Sequence, residues 1–519
     1  MKLAARTLGL TLGLTLAAIA AIAASGVAAR ADDTPTPDEL LARARVATGA
    51  DRRPDAEREV WSIRVAGLEG TLETLRRGAD TAGTTVLGPF RTGRGVWHGV
   101  RWHQNENGQT LVDRPEASGA QRVVTQTVLR ERTPVDAWVL VTTYASGHVS
   151  RVFYDTRTYY LVRTERVAAG RTTHTTYDDF RTDARGRSRP WHYSGGDERP
   201  PDDFDYRLER DETPDIAEAE VAIPRDRRTL VEFPAGNDVV RLPARIADGR
   251  VYVRLTIAGR GLDFLLDTGA SSLTINESVA RQLRLRVYGR AAQTVAGTFE
   301  TSRVIVPSVS IGGLGMRDVV MHTVPLNLEE GRDSRVVGLL GFDFLDAVAL
   351  KMDYVNGSID AGRPGTLAAP AAASPLDVRL GTGAPVARAT IGNASGDNFI
   401  LDTGAAFSYV LFQRFARAHP DAVTPSGDGR LQYGIGVGGV LSLRSVAAKK
   451  LALGASTFED ALGVEALSPY ALGFDNEDGL IGAHILKQFT VYLDYAANRV
   501  YLAPPAHEQT ALGAEPDRH

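Results

Sequence analysis

Asp267 and Asp402 each close an apolar run, Phe264, Leu265, Leu266 in one case and Phe399, Ile400, Leu401 in the other, and each is followed by Thr and Gly. A carboxylate at the end of a buried strand is expensive unless something satisfies or uses its charge. Thr268 and Thr403 supply a hydroxyl beside it, and Gly269 and Gly404 leave backbone N–H groups unobstructed. One such turn reads most simply as an Asp capping its own backbone. Two of them change the weighting, because a pure binder gains nothing from bringing two costly carboxylates together, whereas catalysis uses perturbed carboxyls.

The copies extend beyond the turns. Each Asp-Thr-Gly is preceded by strand, turn and second strand, starting near Val253 and Ala387. Downstream, Gly338, Leu339, Leu340, Gly341 and the run ending in Asp353, Tyr354 match Gly479, Leu480, Ile481, Gly482 and the run ending in Asp494, Tyr495. From Asp267 to Gly341 is 74 residues and from Asp402 to Gly482 is 80. Matched order and near-matched spacing mark duplicated domains. Between turn and support glycine each copy also carries a glycine hairpin, with Gly297 in the first and Gly436, Gly438 and Gly439 in the second.

On these residues the stretch from Pro234 to Pro505 resembles the pepsin and retropepsin superfamily of aspartic proteases, in which two lobes bring two Asp-Thr-Gly loops together on a pseudo-twofold axis. The resemblance implies a mostly β fold of tandem retropepsin-like lobes pairing within one chain. It implies that Asp267 and Asp402 are the catalytic pair, sharing a proton because two carboxylates about 3 Å apart cannot both ionise. The ionised member acts as general base on a water and the protonated one polarises the scissile carbonyl, with no covalent intermediate. In the same scheme Thr268 and Thr403 lock the loops across the lobe interface, while Gly269 and Gly404 offer N–H groups to the carboxylates. Leu340, Gly341, Ile481 and Gly482 support the loops from beneath, and the glycine hairpins are flaps. Ala270 and Ala405, where pepsins carry Ser or Thr, point to the retropepsin side. The activity implied is that of an aspartic endopeptidase acting on peptides or proteins with neither metal nor cofactor.

Other tempting residues fare worse. His98 and His103 are expected on one strand, where a spacing of five puts them on opposite faces and argues against a shared metal site. His484 sits beside the second support glycine without a ligand set in sequence. Ser271 and Ser272 lack a placed histidine, which leaves a serine-hydrolase reading unsupported. The Gly-rich run at 433–440 lacks the Lys of a phosphate-binding loop.

The elements around this core divide the 519 residues into about three domains. Residues 1–31, with Lys2 and Arg6 before a charge-free run and the small-residue pattern Ala29, Arg30, Ala31, read as a secretory signal peptide. An uncleaved signal segment would be the one contact with a membrane. The expected destination is the periplasm, with the extracellular space as the alternative. Residues 38–224 alternate with period two between turn signals such as Glu106, Asn107, Gly108, which predicts an antiparallel sheet led by a helix from Pro37 to about Thr48. Its strand cadence resembles periplasmic lipoprotein-carrier domains. Charge- and proline-rich passages at 207–234 and 362–375 read as linkers around lobes at 235–362 and 376–505, before a tail at 506–519. A net charge of −4 without a basic face argues against nucleic acid as a partner, and zero cysteines exclude disulfides, thiol nucleophiles and thiolate metal sites. Two rival functions stay open at this point: a catalytically silent peptide-binding protein, and a lipid- or lipoprotein-binding protein acting through the N-terminal domain.

Overall fold

The computed structural model describes residues 34–113, 123–132, 135–144, 148–168, 171–197, 203–224, 228–326, 336–380, 383–427, 431–467 and 477–504. The signal-peptide reading of 1–31 and the tail at 506–519 lie outside them. Among the described residues no helix is long and apolar enough to cross a membrane. The protein is mostly β, and the chain divides into two compact units, one of residues 55–118 with 199–519 and the other of residues 2–54 with 119–198.

The smaller unit is led by the helix Pro37–Thr48. Thr36 accepts the Glu39 amide while the Glu39 side chain reaches back to the Thr36 amide, so two orphan donors are satisfied; Pro37 opens the helix and Gly49, at φ 61, ends it. Six strands then run as an antiparallel meander from Val123–Glu131 to Ser188–Asp197. Ala137, Val139 and Phe153 form the fully buried centre of this sheet.

In the larger unit a second meander runs from Ala56–Val65 to Thr110–Asp113, with Phe204–Glu212 added beside the first strand. Its tight turns place a non-glycine residue and then Gly at positive φ, as at Ala66, Gly67 and at His98, Gly99, the pattern of two-residue hairpins. His98 therefore sits in a turn between Phe90–Trp97 and Val100–Gln104, and only His103 is on a strand. The single strand expected across both histidines is two strands, a difference the Gly99 turn explains.

Each lobe is an eight-strand path with the same order. In lobe 1, Arg260–Leu266 pairs parallel with Val336–Leu340, which pairs antiparallel with Thr274–Asn276, which runs parallel to Leu314–Val324. Lobe 2 repeats this with Ala394–Asp402, Gly479–Gly482, Tyr409–Leu411 and Ser456–Ala466. A six-stranded sheet joins the lobes through the antiparallel pair Ala349–Asp353 and Thr490–Asp494. The passages read as linkers are partly built in: Arg207 lies in a strand, Leu230 and Val231 are buried in the main core, and Ser374–Leu376 pairs with the last strand. Their prolines and charges hid short runs of apolar residues. One core spans both lobes, with Phe264, Leu266, Phe342, Phe399 and Ile481 all at 0–1 % exposure; truncating one of its phenylalanines to Ala costs about 3–5 kcal/mol.

Candidate active site

Both Asp-Thr-Gly turns begin where an apolar strand leaves a parallel pair. Asp267 donates its amide to Leu340 O at 3.0 Å, and Asp402 stands opposite Gly482 in register. The chain then turns back over the support glycine. A side chain at Gly341 would begin 2.4 Å from Ser272 O and 2.5 Å from Ala270 O, and one at Gly482 would begin 2.2 Å from Phe407 O and 2.7 Å from Ala405 O. Both glycines have extended backbone, so close approach of the loop, not φ, is what demands them. The amides of Phe342 and Ala483 complete the wrap by donating to Ala270 O and Ala405 O at 2.8 and 2.9 Å.

Thr268 and Thr403, each 1 % exposed, tie the turns to one another. Thr268 Oγ1 donates to Leu401 O at 2.6 Å and Thr403 Oγ1 donates to Leu266 O at 2.8 Å. In return the Thr268 amide donates to Thr403 Oγ1 at 3.1 Å and the Thr403 amide to Thr268 Oγ1 at 3.0 Å. Four bonds thus close a ring across the lobes, with every participant buried and satisfied.

The ring brings the carboxyls together. A β-carbon on Gly269 would lie 2.8 Å from Asp402 Cγ, and one on Gly404 would lie 2.7 Å from Asp267 Cγ; each turn glycine is the floor for the other lobe's carboxyl, and each carboxyl acts on the other's ionisation. Asp267 Oδ1 accepts the Gly269 amide at 2.9 Å. Asp402 Oδ1 accepts two amides, Gly404 at 2.7 Å and Ala405 at 3.2 Å, whereas the Ala270 amide turns to Asp267 O at 3.2 Å. Burial and then the neighbouring Asp402 charge raise Asp267 well above the carboxylate range; burial also raises Asp402, but the Gly404 and Ala405 amides oppose it. Both aspartates are half-buried as residues. Asp402 thus has two amide donors to Asp267's one, a difference that favours the ionised form of Asp402.

The glycine hairpins also meet. Gly436 and Gly439 bracket a two-residue turn with Gly438 at φ 83, and the Ala296 amide donates to Val437 O at 3.1 Å. A β-carbon on Gly297 would lie 2.3 Å from Gly438 O. Ala296 packs with Ala405 and Phe407 against the lobe 2 core, so the tip from lobe 1 reaches the Asp402 loop.

Sequence reasoning missed three groups. Tyr495, just past the joining sheet, is 2 % exposed beside the Phe342 ring and has a hydroxyl with no hydrogen-bond partner among the described residues; burial and the charges of Asp267 and Asp402 raise it well above the usual phenol range. Asp343, two residues beyond the support glycine, is 2 % exposed. Glu106, Asn107 and Gly108 read only as a turn signal, yet Asn107 is 3 % exposed. Nothing in a turn-forming sequence announces that it is buried by docking. Among the described residues no group of three or more His, Cys, Asp or Glu could hold a metal ion.

Residues 253–344 match the family model described as aspartyl protease, a segment that includes Asp267 and Gly341. No curated protein matches the chain. Among solved structures, an aspartic proteinase from Irpex lacteus is 14% identical over 52% of this chain and 98% of its own, with a TM-score of 0.33. Basic 7S globulin from soybean is 15% identical over 51% of this chain and 94% of its own, at 0.31. A LolA superfamily protein from Nitrosomonas europaea is 13% identical over 36% of this chain and 98% of its own, at 0.27.

Proposed function

We propose that the chain is an exported aspartic endopeptidase, which hydrolyses peptide bonds with a water activated between Asp267 and Asp402. The observation that carries the reading is the cross-lobe placement of the two carboxyls, each over the other turn's glycine. Asp402, with two amide donors, is the base that takes a proton from water; Asp267, holding the shared proton, donates to the carbonyl oxygen of the substrate as the tetrahedral intermediate forms. The proton gained by Asp402 then passes to the leaving amine, and Asp267 is reprotonated as the intermediate collapses. Each step moves one proton and needs no covalent bond to the enzyme. The N-terminal run before Ala31 supports export to the periplasm, and the meeting hairpin tips support a gate that peptides must part.

A peptide-library digestion with wild type, Asp267→Asn and Asp402→Asn tests the reading. Each substitution keeps the shape and removes one ionisable member, so cleavage is expected to fall by roughly 10²–10⁴-fold in either variant while the fold is kept. The pH profile of kcat/KM should be a bell, and because both carboxyls are raised its alkaline limb should lie above the ordinary carboxylate range. Wild type that binds peptides and cuts none would leave a silent binding protein, and retained cleavage in both variants would remove the pair from the mechanism.

A further inference from the structure

The turn at residues 105–109, between the strands Val100–Gln104 and Thr110–Asp113, packs against lobe 1. It closes on itself first: Asn105 Oδ1 accepts the amides of Asn107 at 3.1 Å and Gln109 at 2.9 Å. Asn107 then imitates a stretch of backbone against lobe 1. Its Oδ1 accepts the Val320 amide at 2.9 Å and its Nδ2 donates to Val320 O at 2.9 Å. The same Nδ2 donates to Asp343 Oδ1 at 2.9 Å, and Asn105 Nδ2 donates to that oxygen at 2.7 Å.

Asp343 spends its other oxygen on the far end of the Asp267 loop, where Oδ2 accepts the Leu273 amide at 2.6 Å. Leu273 O accepts the His322 amide at 3.0 Å. Leu273 is thus gripped from both sides by groups that the turn itself holds. Glu106 adds a charged anchor: Arg303 Nε donates to its Oε1 at 2.7 Å, and His322 Nε2 lies 3.9 Å from its Oε2. Arg303 and His322 are register partners on adjacent strands, so Glu106 spans the same strand that carries Val320. Leu111, one strand residue beyond the turn, joins the main core.

The geometry points to a positioning role: through Asp343 and the strand around Val320, the 105–109 turn fixes the Asp267 loop, so this sheet is a working part of lobe 1 and not a detachable propiece. This rests on the reading of Asp267 as half of the catalytic pair. Simple adhesion between sheet and lobe would be met more cheaply by apolar contacts, since a buried polar network stabilises only when every member is satisfied. Here Asn107 and Asp343 have partners for both ends of their side chains. Asp343 is pushed up to about 6, chiefly by burial and further by the Glu106 charge, against the donors Asn107 and Leu273. Burial raises Glu106 as well, but His322 and Arg303 hold it well below the usual carboxylate range. Burial lowers His322 and His103, in each case against the Glu106 charge.

The test compares wild type with Asn107→Ala and Asn105→Ala by hydrogen exchange and by kinetics. Removing the Asn107 side chain should speed exchange in peptides covering 267–273 by roughly tenfold while those covering 402–408 keep their rates. On a peptide substrate kcat should fall about tenfold with KM within about twofold. The acid limb should move to higher pH, because losing a donor raises Asp343 further. In an Asp343→Ala background the same substitution should add less than it does in wild type, leaving only the loss of the Val320 bonds. Should Asn107→Ala fail to fold, Asn105→Ala, half-buried and joined to Asp343 by one bond, reads the same loop. Exchange at 267–273 that is unchanged in the folded variants, or that rises equally in both lobes, overturns the inference. Wild type that cleaves no peptide defeats the endopeptidase reading and leaves the exchange result to decide the positioning role.

Discussion

Two residues after the support glycine, lobe 1 has Asp343 and lobe 2 has His484. Asp343 is buried and reaches Leu273, and its burial is tolerated because donors from another sheet meet it. His484 is half-buried, and beyond the Ala483–Ala405 bond, which has its equivalent in lobe 1, its lobe fastens the loop by main chain: the amides of Gly482 and His484 donate to Ser408 O and Phe407 O at 2.9 and 3.2 Å. The flanking strands differ to match. Leu314–Val324 receives Asn107 at Val320, whereas its lobe 2 counterpart Ser456–Ala466 leaves Leu462 62% exposed. One turn sequence is thus held in two ways. Main-chain fastening is insensitive to sequence and pH, while a carboxylate fastening depends on a partner and on a protonation state.

The threonine ring is where the lobes should behave alike, and breaking it gives the largest effect. Thr268→Val leaves Leu401 O and the Thr403 amide buried without partners, and Thr403→Val does the same to Leu266 O and the Thr268 amide. At about 1–3 kcal/mol for each orphaned group, either variant should lose roughly 2–6 kcal/mol in urea denaturation. A clear inequality between the two would mean that the different fastenings reach the ring itself.

A smaller effect of opposite sign comes from the carboxyls. Both have folded-state pKa values raised above the unfolded ones, so their contribution is fully present below the unfolded pKa near 3.9 and is lost as pH rises through the folded value. Asp402→Asn removes that loss. Its melting temperature should exceed wild type at pH 7 and 8 and converge with it towards pH 3, a trade of stability for function. Thermal unfolding across this range checks it; a variant less stable at every pH would show that the pair is not held against its own repulsion.

Much of this arrangement was legible in the chain. The two Asp-Thr-Gly turns, the support glycines and the helix from Pro37 are local patterns in which residue type and spacing carry the physics: an apolar run, a glycine where backbones meet, a capping box. The built-in strand at Ser374–Leu376 and the docked turn at Asn105–Asn107 were not legible. Their sequences are ordinary for exposed loops, and what buries them is a partner surface far away in sequence. Asp343 fell between the two cases. It stood next to a recognised glycine, but a lone Asp in a short helix gives no sign that three N–H groups converge on it.

The smallest effect is a shift in the acid limb, and it separates the lobes most finely. Neither turn has a hydroxyl after its glycine, since both carry alanine there, and a serine in that place can donate to an ionised carboxylate and lower its pKa. The two alanines are not equivalent in space. Ala270 is 1 % exposed, and a β-carbon on Gly341 would lie 2.9 Å from its Cβ, so an added oxygen at 270 has to displace packed atoms. Ala405 is half-buried, and its amide already donates to Asp402 Oδ1 at 3.2 Å, which puts a serine hydroxyl there near the anion. A charge-assisted bond of about 1 kcal/mol corresponds to somewhat under one pH unit. Ala405→Ser should therefore move the acid limb of kcat/KM, where Asp402 loses its charge, towards lower pH by roughly half a unit and leave the alkaline limb in place, while Ala270→Ser should move neither limb and lower stability. If Ala405→Ser instead moved the alkaline limb towards acid, Asp402 would be the member that holds the shared proton, and the assignment of Asp402 as the anion would be reversed.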